Sequence, residues 1–207
     1  MKSYSKANLL GSSFHSNSGT TGTFIKAVNL LSQKFDVRFR IDIPYSVYLR
    51  GETFCDDIQE LSGEKFTNGD LIKILYHDFV MYIMKKPDLK RVYQLLMERY
   101  ERIYNIQKPR RLEIIPYNTT EKLIINDERD TSTYDLEDDD YVTLKVYLSK
   151  KYALRGEVVL ADLAEIYPDH PFTLEKVLEI LYIDFVEKFR RGELQDAVVN
   201  ILNYLDE

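Results

Sequence analysis

Residues that commonly do chemistry are sparse and scattered in this chain. Its three histidines, His15, His77 and His170, stand far apart, and its single cysteine, Cys55, has no nearby partner. Structural zinc needs several thiolate or imidazole ligands at short spacings, so no metal site is expected. G-x-S-x-G, H-E-x-x-H and C-x-x-C patterns are all missing, which leaves nucleophilic, metalloprotease and dithiol chemistry without a motif. Accordingly no catalytic residue and no cofactor is assigned. The Gly- and Ser-rich stretch from Gly11 to Thr23 has the composition of a loop that holds phosphate at a helix N-terminus. It lacks the Gly-Lys-Ser/Thr ending and the dinucleotide spacing, and reads as a polar arm. Eight of the fifteen residues from Asn126 to Asp140 are Asp or Glu. A calcium loop needs a glycine at its sharp turn, and this segment has none, so it reads as a solvated linker.

Charged side chains offer three candidate sites. Asp78 and Asp184 lie beside apolar helical stripes, where a carboxylate must be paired or hydrogen-bonded. Arg50 and Arg155 are the cations that recur at equivalent places, so ion pairs Arg50–Asp78 and Arg155–Asp184 are expected. Arg99, Arg102, Lys108, Arg110 and Arg111, interleaved with Tyr100 and Tyr104, form a basic stretch able to track a nucleic-acid backbone. Glu175, Glu179 and Glu187 crowd a later helix, which repels phosphate and suits a protein partner instead. A helix-turn-helix outline can be drawn twice, but any two packed helices with a short turn supply it.

The elements that must position these residues come in two similar sets. Leu49-Arg50-Gly51-Glu52 returns as Leu154-Arg155-Gly156-Glu157, and Phe66-Thr67 as Phe172-Thr173. Ile74-Leu75-Tyr76, Asp78, Phe79 and Val80 return as Ile180-Leu181-Tyr182, Asp184, Phe185 and Val186. Fourteen identities over the thirty-two positions from Leu49 to Val80 point to a duplicated template. Each copy reads as strand, LRGE turn, short helix, FT turn, long helix and final helix. Val37, Phe39, Ile41 and Ile43 alternate with Arg38, Arg40 and Asp42, the pattern of a half-buried strand ending at Pro44. Val142, Leu144, Val146 and Leu148 alternate in the same way with Thr143, Lys145 and Tyr147. Thr67 with Asp70, and Thr173 with Glu175, mark helix starts, while Pro87-Asp88 and Gly192 mark ends.

The expected fold class is α+β, predominantly helical, with two strand-plus-three-helix units and a connecting hairpin. The expected order is a flexible polar arm over 1–23, a basic first unit over 24–111, a hairpin and acidic linker over 112–140, and an acidic second unit over 141–207. Met1 to Tyr117 carry a net charge of +5 and Asn118 to Glu207 one of −11. Such halves attract each other within or between molecules, or meet partners of opposite sign. Composition is that of a folded chain, with 44% hydrophobic and 30% charged residues, which excludes a disordered or collagen-like class. No apolar run is long enough for a membrane span and the N-terminus has no signal core, so the expected address is the cytoplasm. The first expectation for function is a non-catalytic regulator or adaptor that binds protein, an inhibitor using its acidic second lobe, with homo-oligomers among its partners. The alternative is a nucleic-acid-binding regulator using the basic first unit.

Overall fold

The computed structural model describes residues 3–10, 36–104 and 140–205. The first alternating segment forms strand β1, Asp36–Pro44, and the second forms β2, Tyr141–Ser149. They pair with each other as a two-stranded antiparallel ribbon. Asp36 lies opposite Ser149, Pro44 opposite Tyr141, and the two middle residues, Arg40 and Lys145, face each other.

Helix α1, Tyr45–Ser62, follows β1 directly and stops at Gly63, whose φ of 72° is the left-handed geometry that favours glycine. Thr67 caps α2, Asn68–Lys85, through the expected capping box: its hydroxyl accepts from Asp70 N–H at 3.3 Å, and Asp70 Oδ2 accepts from Thr67 N–H at 3.2 Å. Asp88 caps α3, Leu89–Ile103, by accepting from Arg91 N–H. After β2 come α4, Lys150–Ile166, then α5, Leu174–Arg190, capped by Thr173, and α6, Ala197–Leu205. The fold is thus mostly helical with one small sheet, consistent with the α+β class. Among the described residues no helix is long and apolar enough to cross a membrane.

One correction concerns the LRGE segments, which lie inside α1 and α4 and form no turn. Leu, Arg and Glu are good helix formers, and a single glycine costs only about 1 kcal/mol, too little to break either helix. Residues from both halves enter one core. Phe39, Ile41 and Ile43 of β1 and Val146 and Leu148 of β2 share it with Ile72 and Tyr76 of α2 and Leu178 and Tyr182 of α5. A lone strand leaves its backbone groups unpaired, and pairing the two strands joins the halves.

The start of the expected arm is docked. Tyr4, Ser5, Leu9 and Leu10 are buried. Leu174 N–H donates to Tyr4 O at 2.7 Å, and Lys6 N–H to Glu175 Oε1 at 2.8 Å. The fully buried Glu157 accepts from the Ser5 hydroxyl, from Leu9 N–H at 3.1 Å and from Leu10 N–H at 2.8 Å. The rest of the arm, the helical pattern from Phe24 to Phe35, the hairpin and residues 126–139 of the acidic linker lie outside the described residues.

Candidate functional site

The period-two alternation gives the ribbon two unlike faces. Its apolar residues turn toward α2 and α5, while Arg38, Arg40, Asp42, Thr143, Lys145 and Tyr147 are exposed on the other side. Register places Arg38 opposite Tyr147, Arg40 opposite Lys145, and Asp42 opposite Thr143. The Thr143 hydroxyl donates to Asp42 Oδ1 at 2.7 Å. Among the described residues no hydrogen bond or ion pair engages the side chains of Arg38, Arg40 or Lys145. Like charges directly opposite each other weaken a sheet, so the Arg40–Lys145 pair is a local cost that folding alone does not explain. These cations had been read only as the solvent face of two strands. The signal that would have found them was present: a basic residue at the centre of both alternating segments.

The expected ion pairs do not form. Asp184, 5% exposed, is held by Arg99 Nε at 3.1 Å, Arg102 Nη2 at 2.6 Å and Lys188 Nζ at 3.0 Å. Arg155 sits elsewhere, over the Tyr152 ring and with Nη1 at 3.2 Å from Met84 Sδ. Arg50 donates to Ser46 O at 3.1 Å, and Asp78 is 71% exposed with His77 as its neighbour at 3.9 Å. Helical LRGE segments carry Arg50 and Arg155 on the surfaces of α1 and α4, while α3 brings its own arginines to α5. Asp184, Arg99 and Lys188 help to line a cleft of about 300 Å³, with Leu75, Phe79 and Phe185 among its apolar walls.

Arg99 and Arg102, expected to meet nucleic acid, are therefore engaged within the molecule; Lys108, Arg110 and Arg111 lie outside the described residues. Glu175, Glu179 and Glu187 are not an exposed acidic face: each is buried. Helix α5 is buried along twelve of its seventeen residues and its carboxylates take partners there, except that Glu187 Oε1 has none among the described residues. Glu175 accepts from Lys6 N–H, and Glu187 from Arg190. Glu179 accepts from Lys176, from Asp42 N–H and from the Tyr104 hydroxyl at 3.0 Å. Burial first, and then the Glu179 charge, push the Tyr104 hydroxyl far above its ordinary pKa, so it remains a donor. Attraction between the halves, one meaning of their opposite charge, thus operates within the chain through the Arg99 and Arg102 pairs with Asp184.

Cys55 is buried, and desolvation, followed by the Glu52, Asp56 and Asp70 charges, pushes its thiol up to about 12. A thiol so held is a packing group, not a nucleophile. Among the described residues no three His, Cys, Asp or Glu side chains are grouped to hold a metal ion. The ribbon face is thus an exposed group of three cations at a defined spacing, without an ion-pair partner among the described residues. No family model, curated protein or solved structure matches the chain.

Proposed function

We propose that this chain is a non-catalytic, nucleic-acid-binding regulator whose contact surface is the outer face of the β1–β2 ribbon. The observation that carries the reading is the Arg40–Lys145 pair, two exposed like charges opposite each other with Arg38 alongside and no counter-ion among the described residues. A polyanion removes the repulsion that the free protein bears. Net charge of −6 does not oppose this strongly. Several of the acidic groups are buried or paired, and at 0.1 M salt charges beyond about 10 Å are largely screened. The acidic-lobe adaptor reading has less support, because Glu175, Glu179 and Glu187 are buried.

We also read the chain as two duplicated strand-plus-three-helix units facing each other across the ribbon. Support comes from the fourteen sequence identities, the strand register centred on Arg40 and Lys145, and the reciprocal packing of each unit's tyrosine on the other's glycine. A chain built in this way supplies in one molecule the two-fold ribbon that a homodimer would need two copies to make. The proposal keeps the cytoplasm as its address.

Fluorescence-anisotropy titration of mixed-sequence duplex DNA at 50 and 200 mM salt tests the function. Wild type should bind in a salt-dependent manner. The triple variant Arg38→Ala, Arg40→Ala, Lys145→Ala should bind at least about tenfold more weakly with a melting temperature that is raised or at least not lowered, because the facing charges are gone. No binding by wild type, or equal binding by the triple variant, would sink the reading.

A further inference from the structure

Resting on the nucleic-acid reading, we infer that the ribbon enters the major groove of duplex DNA and reads a site whose two halves are unequal. Size selects the groove. From Arg38 to Asp42 a strand rises about 14 Å at about 3.4 Å per residue, and two strands lie about 4.8 Å apart. A two-stranded ribbon fits a major groove about 12 Å wide, but not a minor groove of about 6 Å. The major groove of duplex RNA is too narrow and deep for side chains to read.

Register then determines what each end of the ribbon can recognise. Arg40 and Lys145 occupy the same place in the two strands and oppose each other, so they reach bases on opposite DNA strands about the site's centre. Both are donors suited to guanine O6 and N7. A central step with guanine on each strand satisfies both and remains self-complementary. Outward from the centre the equivalence ends, because Arg38 corresponds to Thr143 and Asp42 to Tyr147. One end of the face therefore holds Arg38 beside Tyr147, and the other holds Asp42 hydrogen-bonded to Thr143. Arg38 offers a bidentate fork to guanine, whereas Asp42 can only accept and selects the cytosine N4 amino group. A palindrome would present the same base to Arg38 and to Thr143, and Thr143, a single hydroxyl whose proton is donated to Asp42, cannot match the bidentate fork of Arg38 there. The chain thus keeps two-fold symmetry at its central cations and abandons it at the flanks.

Selection from a randomised duplex library tests this with wild type, Arg38→Ala, Asp42→Ala and the double variant Thr143→Arg, Tyr147→Asp. Wild type should return a self-complementary G·C centre with unlike flanks. Arg38→Ala should erase preference at one flank only, and Asp42→Ala at the other, each by about tenfold. The double variant, whose outward residues then match in both strands, should return a palindrome. Palindromic sites from wild type, or loss at the same flank from Arg38→Ala and Asp42→Ala, would overturn the inference while leaving nucleic-acid binding in place. Enrichment of no duplex at all would overturn the binding reading as well.

Discussion

The hydroxyl of Tyr182 stands 1.8 Å from where a Cβ on Gly51 would lie, and the Tyr76 hydroxyl 2.1 Å from the corresponding point on Gly156. Each glycine sits mid-helix in one half, and each tyrosine comes from the other half. Tyr182 then donates to Asn68 Oδ1 at 2.7 Å, and Tyr76 to Tyr152 O at 2.9 Å. A β-carbon at either glycine would displace a buried, hydrogen-bonded ring, so the absence of a side chain in LRGE is a condition for the halves to meet.

Glycine-to-alanine exchange therefore has opposite signs at different helical sites. In an open helix interior it adds about 1 kcal/mol of stability. Gly51→Ala and Gly156→Ala should each remove about 1–3 kcal/mol through overpacking. Gly69 is the control: its Cβ would meet only ordinary contacts at 3.5 and 3.8 Å, so Gly69→Ala should stabilise. Urea melts of the three variants decide it; stabilisation by Gly51→Ala would contradict the close approach.

Much of this frame was legible in the sequence. Strand alternation gave both strands to within a residue at each end, the first stopping at Pro44, and Thr67 and Thr173 marked two helix starts because capping is local. The partnership of the strands was not legible, since one strand's pattern specifies its buried face but not its neighbour. Likewise Asp184 plainly needed a cation, yet which one depended on how α3 lies against α5. Glu175, Glu179 and Glu187 misled because a charged face normally marks solvent, while a central helix buries its charges, here against Lys6 N–H, Asp42 N–H and Tyr104 from elsewhere and Lys176 and Arg190 of the same helix. The basic centre of the ribbon was visible residue by residue and became a surface only once Arg40 was placed opposite Lys145.

Glu157 should behave as the anchor of the N-terminal segment. It is buried, and its carboxylate accepts three donors from Ser5, Leu9 and Leu10. Glu157→Gln turns an amide NH₂ toward those donors and should cost about 1–3 kcal/mol. Hydrogen exchange would show the Leu9 and Leu10 amides losing protection ahead of the core. Unchanged protection in the variant would show that packing of Tyr4 and Leu9, not the carboxylate, holds the segment.

Stability should fall on the alkaline side. Burial is the main cause raising the pKa values of Tyr76, Tyr104 and Tyr182, assisted by Glu157, Glu179 and Cys55 respectively. Unfolded tyrosines release their protons near pH 10, and the folded ones retain them, so the unfolded state alone gains from higher pH. Stability is therefore intact below about pH 10 and lost above it, by up to about 1.4 kcal/mol per pH unit for each ring. Cys55, held up to about 12, adds a decline that begins nearer pH 9. Melting temperatures at pH 8, 9.5 and 10.5 check the sign, and Tyr104→Phe should flatten the fall. A flat wild-type profile would refute it.

The two groups of arginines should separate stability from binding. Arg99 and Arg102 hold the buried Asp184, so Arg99→Ala with Arg102→Ala leaves that carboxylate with Lys188 alone and should cost about 1–3 kcal/mol. Nucleic-acid affinity of the folded variant should stay within about twofold of wild type, because neither side chain belongs to the ribbon. Asp184→Asn should also destabilise, for the converse reason: three cations are left together without their counter-charge. That defect should shrink as salt rises from 0.05 to 0.5 M, since the remaining repulsion is screened. The ribbon variants should behave in the opposite way, with affinity lost and melting temperature kept or raised, since the facing charges are removed. If Arg99→Ala with Arg102→Ala abolished binding while stability held, recognition would belong to α3, and the Arg40–Lys145 pair would be no more than a tolerated repulsion.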